Sequence, residues 1–209
     1  MSNSNGTIAP ELSMPEFYDP PAEPIGLYNR WYERAVEHGV QEANALAFAT
    51  VDERGRAWSR MIRVIEVSEE GLLFATHAHS QKGRDLATTP WASGVLYWPE
   101  LKQQVILGGP VSRLSDEKSD ELWYRRPPAT NAISVVARQS DPLDDEDALR
   151  AEARRLADRG EQLPRPNGFG AYRMALHAIE FWHDGTERLH LRLRYDWENG
   201  AWRSNRLHP

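Results

Sequence analysis

The chain has 209 residues, no cysteine and a formal net charge of −6, with a sequence pI near 5.7. That length suits one domain with a sizeable core, the lack of thiols excludes disulfides and thiolate chemistry, and the acidic balance argues against a general nucleic-acid binder. No apolar run approaches membrane-spanning length, and residues 1–10 lack the charged and apolar regions of a signal peptide; the expectation is a soluble, cytoplasmic protein with no membrane or nucleic-acid partner.

Residues 1–24 carry five prolines among Ser, Asn and Gly, which predicts a flexible N-terminal arm ahead of a single domain over 25–209. Residues 25–38 read as an amphipathic helix. Tyr28, Trp31, Tyr32 and Ala35 recur at i, i+3, i+4 and i+7, and Gly39 stops it. That stripe is core packing rather than a ligand box. Ala45–Val51 is a short apolar strand, turned by Asp52, Glu53, Arg54 and Gly55 into a second strand over 57–67. A further strand covers 72–76. Ser80 caps a helix over 81–87, which Thr89 and Pro90 break. Trp91–Trp98 is a buried strand, followed by a further strand that begins at 103–107 and runs through Gly108, Gly109 and Pro110 to 111–114.

Ser115 caps a helix over 116–125, ended by Pro127 and Pro128, and another helical stretch covers 130–138. Residues 144–159 form a surface helix with acids at its start and arginines near its end, matching the macrodipole; its role is structural. A strand over 169–183, a turn at Asp184 and Gly185, and strands over 188–195 and 202–207 complete the chain. Short antiparallel strands with tight turns predict a mainly β fold with flanking helices, a barrel or a sandwich. With no β-α-β alternation and no Gly-x-Gly-x-x-Gly, a Rossmann site is disfavoured.

The chemistry concentrates in residues 59–85. A strand carrying Arg60 and Arg63 is followed by a short strand and a helix N-terminus at Ser80, Gln81 and Lys82. Free N–H groups and the positive end of the helix dipole suit an anion, and Lys82, Arg60 and Arg63 would complete a phosphate cradle. The alternative is a solvated basic hairpin that binds nothing. His77 and His79 offer half of a metal site but no third ligand stands nearby, so no metal is assigned. No Gly-x-Ser-x-Gly elbow is present, and the carboxylates sit in turns and on the surface helix, which leaves a paired acid and base without support.

A second cluster lies near the C-terminus. In a strand over 188–195, Arg188, His190, Arg192 and Arg194 share one face, a row that favours an anionic ligand over a bare solvated edge.

Taken in order, Arg60-Met61-Ile62-Arg63-Val64-Ile65, Phe74-Ala75-Thr76, Ser80-Gln81-Lys82, Gln103-Gln104-Val105, Arg126-Pro127, Arg138-Gln139-Ser140, Glu180-Phe181-Trp182 and Arg188-Leu189-His190 resemble the motif set of the pyridoxamine phosphate oxidase family. The resemblance runs from about the first helix to the C-terminus. It implies a split β-barrel of antiparallel, Greek-key type, a homodimer with FMN at the subunit interface. It also implies that Arg60 to Ile65 run along the flavin, with Ala75 and Thr76 beside it. Lys82 and Gln81 would hold the phosphate, and Gln104, Gln139, Ser140, Trp182 and Arg192 would make further FMN contacts. Arg126, Thr130, Arg188 and His190 match the substrate side. The family usually has Arg where Gln81 stands. The vitamin B6 oxidases have Lys at Ile65 and Tyr at Leu122, both in the substrate phosphate clamp, and losing them removes charge-assisted bonds of roughly 1.5–3 kcal/mol each. Ile65 and Leu122 suit a larger, flatter substrate and resemble the phenazine-biosynthesis branch, as do residues 77–84 and 90–98. The expectation is an FMN-dependent oxidase of partly reduced phenazine carboxylates, with O2 as acceptor and H2O2 as product. Arg188 and Arg126 would be its carboxylate partners and His190 its orienting or proton-handling group. The alternatives are a vitamin B6 phosphate oxidase and a non-catalytic flavin- or haem-binding split barrel.

Overall fold

The computed structural model describes residues 14–209. Its first helix, α1 (Pro24–Glu37), begins with proline at the first helical position, where the missing N–H costs nothing. The aromatic stripe faces inward as expected, with Trp31 fully buried between Phe17 and Phe181. Ten strands follow: β1 (Ala45–Val51), β2 (Ala57–Arg63), β3 (Glu66–Ser68), β4 (Gly71–His77), β5 (Trp91–Trp98), β6 (Gln103–Arg113), β7 (Phe169–Met174), β8 (Ala178–His183), β9 (Leu191–Glu198) and β10 (Ala201–Arg206). Helix α2 (Gln81–Thr88) sits between β4 and β5, and α3 (Asp116–Tyr124), α4 (Pro128–Val136) and α5 (Glu146–Ala157) lie between β6 and β7.

All pairings are antiparallel, and the long strand β6 is shared by two layers. One layer runs β10-β9-β8-β6-β5-β1-β2; the other runs from β6 through β7 and β4 to β3. Phe48, Phe74, Tyr172 and their neighbours fill the space between them. The expected strand over 57–67 is two strands. At its break the Val64 N–H still donates to Asn44 O in the first layer, while the Ile65 N–H donates to Leu73 O in the second. The chain thus crosses between layers without a continuous ladder, and the expected split barrel appears as a mainly antiparallel sheet that hydrogen bonding does not close.

The expected strand running from 103 through Gly108, Gly109 and Pro110 is present as one strand, β6, ending at Arg113. Within it Gly109 serves close contact rather than a turn: a Cβ there would stand 1.8 Å from Ala175 O. Conversely, the single strand expected over 169–183 is broken at 175–177, where Ala175 N–H donates to Pro110 O and His177 N–H to Gly108 O. The chain thereby moves from pairing with the far half of β6 to pairing with its near half. No helix among the described residues is long and apolar enough to cross a membrane.

The arm expected over 1–24 lies outside the described residues as far as residue 13. From Met14 onward the chain is pinned. Phe17 is buried, the Arg206 guanidinium donates to Phe17 O at 2.7 Å, and the Tyr195 hydroxyl donates to Pro21 O at 2.9 Å. Glu16 is buried and accepts from the Trp31 indole N–H at 2.5 Å. Removing this acceptor leaves a buried N–H unpaired, which costs about 1–3 kcal/mol. Glu16→Ala should therefore lower the urea midpoint at unchanged slope, by a stability loss in that range, measured by tryptophan fluorescence.

Candidate functional site

The site is built on the first turn of α2. Ser80 caps it in extended conformation; its Oγ accepts from Gly83 N at 3.3 Å and donates to His77 O at 2.7 Å. A Cβ on Gly83 would lie 2.4 Å from both His77 O and Ala78 O, so only glycine lets the helix start directly on the end of β4. This seating draws Lys82 inward until only 7% of its surface is exposed. Its Nζ donates to Thr76 Oγ1 and to Gln139 Oε1, both at 3.2 Å, and Gln81 N–H donates to Ser140 Oγ at 3.1 Å. Burial and then the nearby Arg60 guanidinium push the Lys82 ammonium down to about 8. Gln139 and Ser140, which follow α4, thus come to the helix terminus from nearly sixty residues away in sequence, and Ser140 takes a left-handed φ of 75° to do so.

Arg60, on β2, is held by two residues that sequence reasoning missed. It donates to Thr50 Oγ1 at 2.6 Å, Thr50 donates to Asp85 Oδ2 at 2.6 Å, and the guanidinium stands 3.7 Å from that carboxylate. Burial lowers the Arg60 pKa, and Asp85 opposes the shift. Asp85 lies one helical turn after Lys82, and Thr50 is the diagonal neighbour of Arg60 on the β1–β2 ladder, where Arg60 stands opposite Phe48 and Thr50 opposite Trp58; the sequence did not show the register that joins them. Arg63 does not join the cradle. Three positions along a strand reverse the face, so Arg63 points outward to Glu42 at 2.6 Å. Met61 and Ile65 lie on that same outward side, 61% and 47% exposed, whereas Ile62 is half-buried and Val64 buried.

Arg126 lies between the rings of Trp123 and Phe169, 5.1 Å from each centroid, and donates to Ser134 Oγ at 2.8 Å and Thr130 O at 3.3 Å. Thr130 itself is exposed, and burial lowers the Arg126 pKa. Leu122 is packed with Leu73 and Ala171, against the half-buried Ala75, as core rather than as exposed lining. His77 is buried next to His79. Burial, then the nearby charges of His79, Arg126 and Lys82, hold its imidazolium down to about 4. Among the described residues no group of three or more His, Cys, Asp or Glu is placed to hold a metal ion.

The second cluster stands on the other side of β6. Gln104, Trp182 and Arg192 are direct cross-strand neighbours on β6, β8 and β9, so they share a face. Arg192 pairs with the buried Glu180 at 2.7 Å, and Arg194 with Asp196 at 2.9 Å. The row expected from Arg188 to Arg194 is accordingly shorter and better neutralised than the sequence implied. Strand β9 starts only at Leu191. Arg188 sits in a short 3-10 turn (Thr186–Arg188), where it and Glu187 adopt left-handed φ values of 64° and 54°, and its side chain is exposed. His190 packs against Trp182, 4.9 Å between ring centroids, with Nδ1 3.0 Å from Asp184 Oδ1. No hydrogen bond joins the two clusters within the described residues.

Comparison with known proteins places both clusters in a common frame. The family model for pyridoxamine 5'-phosphate oxidase matches residues 32–183, and that for the pyridoxine 5'-phosphate oxidase C-terminal dimerisation region matches 169–209. The chain is 48% identical over its whole length to a dihydrophenazinedicarboxylate synthase of Pseudomonas chlororaphis, covering 94% of that protein. It is 38% identical to a pyridoxine/pyridoxamine 5'-phosphate oxidase of Mannheimia succiniciproducens, over 90% of this chain and 89% of that one. Its fold matches the crystal structure of PhzG from Burkholderia lata 383 in complex with tetrahydrophenazine-1-carboxylic acid, with a TM-score of 0.92 at 43% identity, covering 95% of this chain and 98% of that one.

The depressed His77 pKa links this site to stability. The unfolded chain takes up this proton near pH 6.5, the folded chain only near 4. Between those values the unfolded state binds more protons, so the contribution is fully present above 6.5 and is lost as pH falls towards 4. Urea midpoints should drop across this window, and His77→Gln should flatten the drop.

Proposed function

Because this chain belongs to the pyridoxamine 5'-phosphate oxidase family, we propose that it is an FMN-dependent oxidase of partly reduced phenazine carboxylates in phenazine biosynthesis, with dioxygen as acceptor and hydrogen peroxide as product. The observation that carries this reading is full-length similarity to a dihydrophenazinedicarboxylate synthase, joined to a fold shared with a relative solved in complex with a tetrahydrophenazine carboxylate. The vitamin B6 reading draws on the lower similarity to the pyridoxine/pyridoxamine oxidases. It fits less well with Ile65 and Leu122 at positions where those enzymes resemble a phosphate clamp.

The residues present fit a flavin phosphate. Lys82 is a buried ammonium whose only hydrogen-bond partners in the described residues are neutral oxygens, beside a capped helix N-terminus and a half-buried guanidinium. A phosphate there would gain charge-assisted bonds and restore the ammonium's usual affinity for its proton. In this reading Lys82, Gln81, Arg60 and Thr76 hold the phosphate, with Gln139 and Ser140 fixing the first two. Residues 60–65 and Ala75 run along the flavin, and Gln104, Trp182 and Arg192 contact it from the second cluster. When bound, FMN supplies hydride acceptance from the substrate and reoxidation by dioxygen.

The substrate side belongs to Arg126, Thr130, Arg188 and His190. Stacking and two hydrogen bonds from a single guanidinium nitrogen fix Arg126 in place and leave its remaining N–H groups for a carboxylate. Arg188 offers a second guanidinium from a backbone held in a strained conformation, as binding residues often are. His190 orients the ring and handles a proton. Aromatisation of the product supplies driving force, so no strongly perturbed base is required. The two clusters come from opposite parts of one chain, and a homodimer would bring one subunit's α2 cradle against the other's β8–β9 face. The dimerisation region over 169–209 and the exposed Trp58, Met61 and Ile65 on and beside the outer strand β2 support that assembly. The FMN-binding domain is a single unit over 25–209.

Lys82→Ala and Arg60→Ala should each weaken FMN retention by about 10- to 100-fold, the equivalent of one charge-assisted bond, read by flavin fluorescence titration; unchanged affinity in the double variant would remove the phosphate-cradle assignment. In an oxygen-electrode assay the protein should consume O2 with dihydrophenazine carboxylates. Good turnover of pyridoxamine 5'-phosphate with none of the phenazine substrate would reverse the ranking.

A further inference from the structure

We infer that Asp184 is a positioning residue that selects the Nδ1-protonated form of His190 and so presents Nε2 as a proton acceptor. This rests on the substrate-side role of His190 proposed above.

His190 is held on three sides. Its ring lies against Trp182 at 4.9 Å, its Nδ1 is 3.0 Å from Asp184 Oδ1, and the Gly185 N–H stands 3.3 Å from the same nitrogen. No hydrogen bond to its Nε2 is made within the described residues. The loop that does this is tightly built. Asp184 N–H donates to Lys102 O at 2.9 Å, which fixes the carboxylate's backbone to the end of β6. A Cβ on Gly185 would stand 2.0 Å from Leu189 O, so the loop closes on itself only with glycine there.

Nδ1 therefore faces one acceptor and one donor, and the two ask for opposite states of the ring. A bare Nδ1 accepts from Gly185 N–H and puts the proton on Nε2. A protonated Nδ1 donates to Asp184 and leaves Nε2 with its lone pair. The carboxylate is the nearer of the two and is charged, and a charge-assisted bond is roughly twice as strong as a neutral one. It also stabilises the imidazolium formed if Nε2 takes up a proton, as an orienting carboxylate does in other acid–base pairs.

The balance is simple. As the reduced ring loses two hydrogens, one would leave as hydride, two electrons and one proton together, which the flavin held by Lys82 and Arg60 would accept, and the second proton goes to His190 Nε2. The imidazolium is then held by Asp184 until it returns the proton to solvent.

The test combines nitrogen NMR with kinetics. In the full chain labelled with 15N-histidine and assigned with His190→Asn, the His190 Nδ1 should carry the proton, with or without FMN. Asp184→Asn should move it to Nε2. With the phenazine substrate, Asp184→Asn should lower kcat roughly tenfold, part of the 10²–10⁴ that such proton transfers contribute. FMN affinity and KM should change little, and Asp184→Glu should recover most of the loss. In the His190→Asn background, Asp184→Asn should change kcat by less than about twofold, because the carboxylate acts only through the ring. An unchanged tautomer in Asp184→Asn, or an equal loss with and without His190, overturns the inference. If the wild type oxidises no phenazine substrate, the functional reading falls, while the tautomer measurement still decides the role of Asp184.

Discussion

The seat of α2 on the end of β4 is the contact on which the rest of the site depends. Ser80 bridges His77 O and Gly83 N, and Gly83 leaves no side chain between the helix and the carbonyls beneath it. Had the helix begun one side chain further out, Lys82 would reach solvent like any surface lysine. Instead its ammonium is buried among hydroxyl and amide oxygens, close enough to Arg60 for the two cations to repel. A cation in that position is costly unless an anion meets it. The local backbone thus creates a demand for negative charge, and the helix N-terminus supplies donors facing the same space.

The charges around this seat are graded rather than uniform. Arg60 has a carboxylate in Asp85, reached through Thr50, and so is oriented and partly neutralised. Arg192 has Glu180 and Arg194 has Asp196. Among the described residues Lys82 and Arg126 make their hydrogen bonds and ring contacts to neutral groups alone. Pairing within the chain orients Arg60 and Arg192 and partly offsets their charge, and the cations left without a carboxylate carry the larger demand for an anion.

Much of this was legible in the sequence where local rules operate. The start of α2 and its Ser80 cap followed from capping chemistry, and strands β1 and β5 fell at their expected bounds. The same rules, applied strictly, separate Arg60 from Arg63: period two puts them on opposite faces of β2, and the structure sends Arg63 to Glu42. Other features were not local. The close approach of Ala175 to Gly109, from another part of the chain, is one of them. That β9 starts after His190 depends on the Asp184–Leu189 loop closing around Gly185.

By itself the sequence determined the mainly β class, the capped helix α2 with Lys82 in its first turn, and the ordered motifs that carry the family resemblance. These are properties of spacing, turn chemistry and residue type, which act over a few positions along the chain. Only the tertiary structure decided which cations are already neutralised. The partners Asp85, Thr50, Glu180 and Gln139 lie from ten to nearly sixty residues away from the groups they hold, and register and close packing bring them together. It was also the fold that buried Leu122, turned Arg188 out of the strand, and set Asp184 against His190. Electrostatic pairing acts through space over a few ångströms, and the order of residues along a chain does not reveal which ones will come that close.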